Sequence, residues 1–172
     1  MTENTPRRGK KRPLLTAEEL RIWRDFIETA EALRAELASR MQNESGLSPG
    51  DYGVLLALSE APGQRMRSSD LAATIGWERS RLSHHLGRME RRGLIRREEC
   101  ATDNRGAEVV LDPTGAEAFR RASVPHLRDV RELFVDALTP TQLAATGEAT
   151  KALRARLDSS RAAALLTKPG EG

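Results

Sequence analysis

Apolar residues recur at spacings of three and four over most of this chain, which is the pattern of amphipathic helices. The first such stripe consists of Ile22, Phe26, Ala30, Leu33, Leu37 and Met41. Thr16 and Glu19 precede the stripe with the spacing of a capping box, and Gly46 follows it as a helix-ending residue. The pattern therefore predicts one long helix between these two signals.

Proline and glycine mark the beginnings and ends of the later helices. Ser48-Pro49, Asp112-Pro113 and Thr139-Pro140 each combine an N-cap residue with proline at the first helical position. Pro62-Gly63 ends the second helix, and Pro125 is expected to kink or divide the helix in which it lies. The chain is therefore predicted to be mainly α.

One segment, from residue 68 to residue 111, departs from this helical pattern. Ser68 or Ser69 is expected to cap a short helix that turns at Gly76. A second short helix then runs to Gly93, and two strands separated by a polar tip follow it. Their alternating positions are Leu94, Arg96 and Glu98 in the first strand and Val109 and Leu111 in the second. Two short helices and a β-hairpin form the layout of a winged helix-turn-helix, whose second helix fits the major groove of DNA.

The polar face of the second short helix carries the chemistry of base recognition. Arginine bonds guanine bidentately and serine bonds most base edges, so we assign Ser80, Arg81 and His84 to base reading. Arg79 and Arg88 are assigned to phosphates, which fix position and carry little sequence information. The full set of predicted DNA-binding residues is Ser69, Arg79, Ser80, Arg81, Ser83, His84, Arg88, Asp103 and Arg105.

The other face of that helix is predicted to pack on the core. Leu82, Leu86 and Met89 point inward, and His85 is expected at the edge of the core. The tandem His84 and His85 do not predict a metal site, because adjacent helical positions point about 100° apart and cannot chelate one ion together.

Asp103 and Arg105 lie in the polar tip between the two strands. A planar guanidinium can enter a narrow minor groove, and the neighbouring carboxylate can hold it in one orientation. The alternative is an ordinary polar hairpin loop with a weak surface ion pair.

The charge of the chain is unevenly distributed, although the net charge is only +3. Between Arg79 and Arg97 there are seven arginines and one acid, Glu90. Such a local basic surface indicates a polyanionic partner, the alternative being arginines that only solvate a helix. Residues 1–13 hold five more basic residues and read as a disordered arm, for which an inert tail is favoured over contacts with DNA.

Composition narrows the class of protein further. A chain of 172 residues with 3% aromatic residues is expected to form one domain whose core is aliphatic and helical. The chain contains no segment apolar enough for a secretory signal or a membrane span, so we expect a cytoplasmic protein. No Ser-His-Asp set, phosphate-cradling glycine loop or supported carboxylate pair is present, so neither an enzyme nor a bound cofactor is expected.

Several motifs of the chain resemble the MarR family of bacterial transcriptional regulators. These are Leu71-Ala-Ala-x-Ile-Gly, Glu90-Arg-Arg-Gly-Leu-Ile-Arg-Arg, the Asp103-x-Arg105 tip and Leu111-Asp-Pro-Thr-Gly115. The resemblance implies a homodimer whose terminal helices interlock and whose winged domains grip a pseudo-palindromic operator in double-stranded DNA. It also implies a small, often aromatic or anionic, effector bound between the wing domain and the dimer helices. We therefore expect a repressor that this effector releases. His85 and Trp77 depart from the family pattern, where an aliphatic and a smaller residue are usual.

These observations divide the chain into five segments. A disordered arm (1–13) precedes helical dimerisation segments (14–46 and 113–166), which flank the DNA-binding domain (47–112), and a disordered tail (167–172) follows. A winged-helix module that binds another protein instead of DNA is the alternative function. Oxidant sensing by Cys100 is disfavoured, because Glu98 and Glu99 oppose any lowering of the pKa of its thiol by the neighbouring arginines.

Overall fold

The computed structural model describes residues 14–99 and 107–166, which form a mainly α winged helix. The helices are α1 (Ala17–Ser45), α2 (Pro49–Glu60), α3 (Ser68–Ile75), α4 (Arg79–Arg91), α5 (Pro113–Val130) and α6 (Pro140–Leu166). The strands are β1 (Arg65–Arg67), β2 (Ile95–Glu99) and β3 (Ala107–Leu111). The mainly α fold and the helix–helix–hairpin order are confirmed. The predicted arm, the predicted tail, Cys100, and Asp103 and Arg105 of the wing tip lie outside the described residues.

Side-chain caps fix where four of the helices begin, including the predicted start of α6, where the hydroxyl of Thr139 accepts from the Gln142 N–H at 3.3 Å. The hydroxyl of Thr16 accepts from the Glu19 N–H at 3.1 Å, and the Glu19 carboxylate accepts from the Thr16 N–H at 2.7 Å. Ser48 and Asp51 form the same reciprocal pair at 3.1 and 3.0 Å at the start of α2. Asp112 caps α5 through a backbone N–H of its first turn. The predicted starts of α1, α2, α5 and α6 are therefore confirmed.

The predicted cap of α3 is wrong, and of the kink or division expected at Pro125 the division is absent. Neither Ser68 nor Ser69 caps α3, because Ser68 is already its first residue and the hydroxyl of Ser69 donates to Asp70 instead. Pro125 does not divide α5, which continues to Val130 and then widens into a π-helical turn. The packing of α5 against α1 and α2 outweighs the single hydrogen bond that a proline removes.

The three strands form an antiparallel sheet in the order β1-β3-β2. The predicted hairpin strands are present, whereas β1 was not predicted. The alternation expected in the second hairpin strand is wrong, since Val109, Val110 and Leu111 are all buried. Val110 lies between Arg65 and Arg96 in the register, on the face that these long side chains can cover.

The core lies between α2, α3, α4 and the sheet. Its fully buried side chains are Leu47, Val54, Leu55, Leu58, Leu71, Leu82, Leu86, Met89, Ile95 and Val109. The outer part of α1 and most of α6 lie away from this core and keep large apolar side chains in solvent. Within residues 14–99 and 107–166, no helix combines the length and the apolar character needed to cross a membrane.

Candidate nucleic-acid interface

The turn between α3 and α4 sets the direction of the second helix. Gly76 adopts a left-handed conformation with φ of 67°, which costs glycine little because it has no Cβ. The Trp77 N–H donates to the carbonyl of Ala72 at 2.9 Å and closes the turn. Ala72 is small and buried on the side of α3 that faces the core. The turn therefore holds α4 with one long face on the core.

The two faces of α4 differ as their sequence predicts. Leu82, Leu86 and Met89 are at most 1% exposed, and His85 is 7% exposed at the edge of the core. The predicted DNA-contacting residues that are described all lie at the surface: Ser69, Arg79, Ser80, Arg81, Ser83, His84 and Arg88. Their exposure leaves a surface of arginines and hydroxyls open to a partner.

The seven arginines between Arg79 and Arg97 are not equally available. Three of them pair with carboxylates, Arg92 with Asp51 (2.8 Å), Arg96 with Glu98 (2.7 Å) and Arg97 with Glu90 (2.5 Å). Hydrogen bonds from these arginines lower the pKa of Glu90 and of Glu98 below the ordinary value of 4.5. Within the described part of the chain, no carboxylate pairs with Arg79, Arg81, Arg88 or Arg91. The available positive charge is therefore concentrated on α4 itself.

Two of these α4 arginines rest on aromatic side chains. The guanidinium carbon of Arg81 lies 4.2 Å from the centre of the Trp77 ring, within the range of a cation–π contact. Nη2 of Arg88 lies 2.8 Å from Nδ1 of His85, one helical turn away. The rings of Trp77 and His85 meet edge to face, with centres 5.1 Å apart. The two exposed arginines are thus connected through a partly buried tryptophan and a buried histidine.

Asp51 lies behind this aromatic pair, at the start of α2. Its carboxylate caps α2, accepts from Arg92, and has Oδ1 3.0 Å from Nε2 of His85 without hydrogen-bond alignment. Burial acts to raise the pKa of Asp51, but hydrogen bonds from the Ser48 N–H and from Arg92 outweigh it, and the pKa is lowered. Burial is also the largest influence on His85, whose pKa is lowered below 6.5. The contact therefore joins a carboxylate to a neutral imidazole at neutral pH.

A cavity of about 500 Å³ lies on the other side of α2, against α1 and α5. Its lining includes Arg34 of α1, Tyr52 of α2 and His126 of α5. The rings of Tyr52 and His126 are 4.9 Å apart, and Nδ1 of His126 is enclosed without a hydrogen-bond partner. The cavity has the size of a small-molecule site and combines apolar walls with a few polar atoms. Within the described residues, no cluster of three or more His, Cys, Asp or Glu side chains could hold a metal ion.

Known proteins resemble this chain in both sequence and fold. A family model described as MarR family matches residues 45–106. The Escherichia coli O157:H7 protein "Transcriptional regulator HosA" is 34% identical over 102 residues, which are 59% of this chain and 73% of that protein. The chain belongs to the MarR family. It is therefore a transcriptional regulator and not an enzyme, as the sequence predicts.

Two further comparisons place this MarR family chain among its relatives. A Thauera aromatica protein named for regulation of the hcr operon is 30% identical over 86 residues, so the chain spans 51% of that relative's length. A crystal structure of Sco3205, a MarR family transcriptional regulator from Streptomyces coelicolor in complex with DNA, has a TM-score of 0.78 and 39% identity. That match covers 83% of this chain and 93% of Sco3205.

The structure brings together residues of this regulator that sequence reasoning did not connect. Asp51 of α2 and His126 of α5 were not singled out, Trp77 was noted only as a departure from the family pattern, and His85 was placed at the edge of the core without a partner. Asp51 and His85 are distant in sequence and meet only through the packing of α2 on α4, so periodicity gives no signal for the pair. Two sequence signals were available: the Ser48-x-x-Asp51 spacing of a capping box, and Trp77 next to the start of α4 in a chain with two tryptophans.

Proposed function

We propose that this regulator is a sequence-specific, homodimeric repressor that binds a pseudo-palindromic operator and is released by a small aromatic or anionic effector. The exposed arginine and hydroxyl face of α4 is the observation that carries the proposal. A helix with three buried apolar residues on one side and free arginines on the other can be pressed into a major groove without losing its core contacts. The relative crystallised with DNA, Sco3205, supports the same mode of binding.

Individual side chains have different roles in this proposal. Ser80, Arg81 and His84 near the start of α4 read base edges, because the first turns of a recognition helix reach deepest into the groove. Arg79 and Arg88 bind phosphates and set the position of the helix. Ser69 and Ser83 lie at the surface of the same unit and extend the set of hydroxyl donors. Arg105, outside the described residues, stays assigned to the minor groove, with Asp103 holding its guanidinium in orientation.

A second copy of the chain would cover the apolar side chains that this chain leaves exposed. Each of these side chains is more than half exposed: Leu14, Leu15, Ile22, Trp23 and Phe26 near the N-terminus, Val124 and Leu127 of α5, and Leu153 and Leu157 of α6. So many exposed large apolar residues on the terminal helices indicate an interface. A two-fold dimer would also place two copies of α4 on one duplex.

The effector is proposed to bind in the cavity between α1, α2 and α5. Tyr52, whose ring is backed by that of Phe119, can stack on an aromatic ring, and Arg34 can pair with an anionic group. Nδ1 of His126 supplies an unused polar atom for a hydroxyl or carboxylate. Because α2 forms one wall of the cavity and also carries Asp51 behind α4, a bound effector can displace α4 relative to the terminal helices.

Salt dependence tests the DNA-binding half of the proposal. Duplexes selected by the protein from a randomised pool, and unselected duplexes of equal length, are compared by fluorescence anisotropy between about 50 and 200 mM salt. We expect selected duplexes to bind more tightly, and binding to weaken steeply with salt because several phosphates are neutralised per protomer. Arg88→Ala should reduce the slope, whereas Arg121→Ala on the exposed surface of α5 serves as the control. Salt-independent binding, or no selection at all, would contradict the proposal.

Thermal-shift measurements with benzoate and substituted benzoates test the effector half. Benzoates that raise the melting temperature of the protein should also weaken its binding to the selected duplex. His126→Ala should reduce both effects while leaving DNA binding without benzoate unchanged. A panel without any stabilising aromatic acid would count against an aromatic anionic effector and leave the DNA-binding result standing.

A further inference from the structure

Trp77 and His85 form a unit, here called the positioning pair, that joins the exposed face of α4 to the interior. On its outer side the pair holds the two arginines already described, Arg81 over the Trp77 ring at 4.2 Å and Arg88 on Nδ1 of His85 at 2.8 Å. These contacts leave the arginines exposed and still able to bind a partner. A guanidinium has five N–H donors, of which the cation–π contact uses none and the His85 contact uses one.

The inner side of the positioning pair is fixed by α2. Asp51 places Oδ1 3.0 Å from Nε2 of His85, and the backbone of Gly50 lies directly against both rings. A methyl group at Gly50 would come within 2.7 Å of Cη2 of Trp77 and 3.0 Å of Cε1 of His85. The two rings therefore have little freedom, and neither do the arginine contacts that depend on them.

We propose that the positioning pair fixes Arg81 and Arg88 in the orientation that DNA requires, with His85 acting through Arg88 and Trp77 acting through Arg81. This inference rests on the proposed DNA-binding role of α4. Ordering a long side chain on binding costs affinity, and an arginine that is held beforehand avoids most of that cost. An aliphatic residue in place of His85 would fill the same space but would offer Arg88 no acceptor.

The contact between His85 and Arg88 requires an unprotonated Nδ1. Burial is the largest factor that lowers the pKa of His85, and the charges of Arg88 and Arg81 lower it further, against the attraction of Asp51. The charged groups around the ring are Asp51 from α2, with Arg92 bound to it, and Arg81 and Arg88 from α4. Protonation of the ring, at a pH below this lowered pKa, turns Nδ1 into a donor that faces the Arg88 guanidinium, so the arginine is released on acidification.

Two amide substitutions at His85 separate positioning from packing. His85→Asn places an amide oxygen near the position of Nδ1 and keeps an acceptor for Arg88. His85→Gln places its amide near the position of Nε2 and loses that acceptor. We expect His85→Gln to weaken binding to the selected duplex by about three- to tenfold, and His85→Asn to stay close to the unmodified protein. Equal losses in both variants would show that only the packing of the ring matters and would overturn the proposal.

A double-mutant cycle identifies the side chain through which His85 acts. In the Arg88→Ala background, His85→Gln should cause no further loss of affinity, because the arginine that it positions is gone. Additive losses would mean that His85 acts independently of Arg88 and would overturn the inference. Circular dichroism of each variant confirms that the helices are intact.

The pH dependence of binding provides a readout that needs no change at His85. His84 is replaced by Gln first, so that His85 is the one histidine of α4 in the protein tested. In His84→Gln, affinity at fixed salt should fall by about three- to tenfold as the pH decreases from neutrality through the lowered pKa of His85. Adding His85→Gln should remove this fall, and a flat profile in His84→Gln alone would contradict the role of His85.

Substitutions at Gly50 and Gly53 of α2 give a matched comparison that tests the inner side of the positioning pair. Gly50→Ala presses a methyl group against both rings, whereas a methyl group at Gly53 meets no atom within 4 Å. Gly50→Ala should weaken DNA binding although the residue lies behind α4, and Gly53→Ala should not. If these two variants bound DNA equally well while the unmodified protein still selected a duplex, the proposed role of the positioning pair would be wrong. The proposed DNA-binding function would stand. Failure of the unmodified protein to bind DNA would reject the proposed function as well.

Discussion

Arg81 illustrates how much of the proposed specificity depends on one side chain. It is exposed near the start of α4, makes no ion pair with a carboxylate in the described ranges 14–99 and 107–166, and is held on the face of Trp77. Arg81→Ala should cost about 1–3 kcal/mol of binding to the selected duplex and relax the preference at one base position. Anisotropy titrations against duplexes substituted at single positions measure both effects.

Arg79→Ala is the control for this prediction, because a phosphate contact carries no information about sequence. It should weaken binding to selected and unselected duplexes by similar factors. If Arg81→Ala behaved in the same way, Arg81 would be a phosphate ligand and base reading would have to lie elsewhere on α4.

Asp51 links the pH dependence of stability to a single buried carboxylate. Its folded-state pKa lies below the ordinary value of 3.8, so it stabilises the fold above that pH, and this contribution is lost as the pH falls through the folded-state pKa. Asp51→Asn should therefore lower the free energy of unfolding by about 1–3 kcal/mol at pH 7 and reduce the loss of stability below about pH 4. Urea unfolding across this pH range measures the difference.

Asp25→Asn is the comparison for Asp51, since it removes the same charge from an exposed ion pair on α1. Such pairs contribute little to stability, and the change should be below about 1 kcal/mol. An Asp51→Asn variant that is as stable as Asp25→Asn at pH 7 would show that the Ser48, Arg92 and His85 contacts contribute nothing net.

Sequence reasoning at the scale of residues works where the signal is local. Leu82, Leu86 and Met89 follow from helical spacing, and the exposure of Arg79, Arg81 and Arg88 follows from the same period. It fails for the contacts of Asp51 with Arg92 and His85 and for the ring contact of His126 with Tyr52, because these partners come from distant parts of the chain. Counting charges also overestimates the basic surface, since three of the seven arginines are paired with carboxylates that only the fold brings close.

At the scale of elements, Gly115 controls how α5 leaves the sheet. A methyl group at this position would overlap the backbone carbonyl of Leu94, which also accepts from the Asp112 N–H at 3.2 Å. Backbone cannot move aside as a flexible side chain can, so Gly115→Ala should destabilise the fold by about 1–3 kcal/mol. Gly147→Ala in α6, where a methyl group meets no atom within 4 Å, should be neutral or stabilising. Equal melting temperatures for the two variants would contradict this close contact.

Elements marked by caps were predictable, and elements created by pairing were not. Thr16, Ser48 and Asp112 indicate in the sequence where their helices begin, because capping is a contact within one turn. β1 is only three residues long and exists through its pairing with β3, so its own sequence, Arg65-Met66-Arg67, shows no strand pattern. The division of α5 at Pro125 is predicted from a local rule and does not occur, because packing against α1 and α2 preserves the helix.

At the scale of the whole molecule, the exposed apolar residues of the terminal helices require a second copy of the chain to cover them. Leu153 and Leu157 of α6 are 53% and 58% exposed, one helical turn apart on the same side. A partner copy that packs on this side would bury both leucines. Replacing both with Glu should therefore give a monomer that retains its helical content, as measured by light scattering and circular dichroism.

The control for the dimer prediction places negative charge on the opposite side of α6. Lys151 and Ala155 lie about 160° and 200° around the helix from Leu153, so Lys151→Glu with Ala155→Glu should remain dimeric. Because two copies of α4 are proposed to bind one duplex, the monomeric Leu153→Glu, Leu157→Glu variant should also lose most of its affinity for a selected pseudo-palindrome. It should keep its weaker affinity for one half-site, since each α4 remains intact. A monomer that binds the full site as tightly as the dimer would show that one winged helix is sufficient. A variant that remains dimeric would place the interface on another part of the terminal helices.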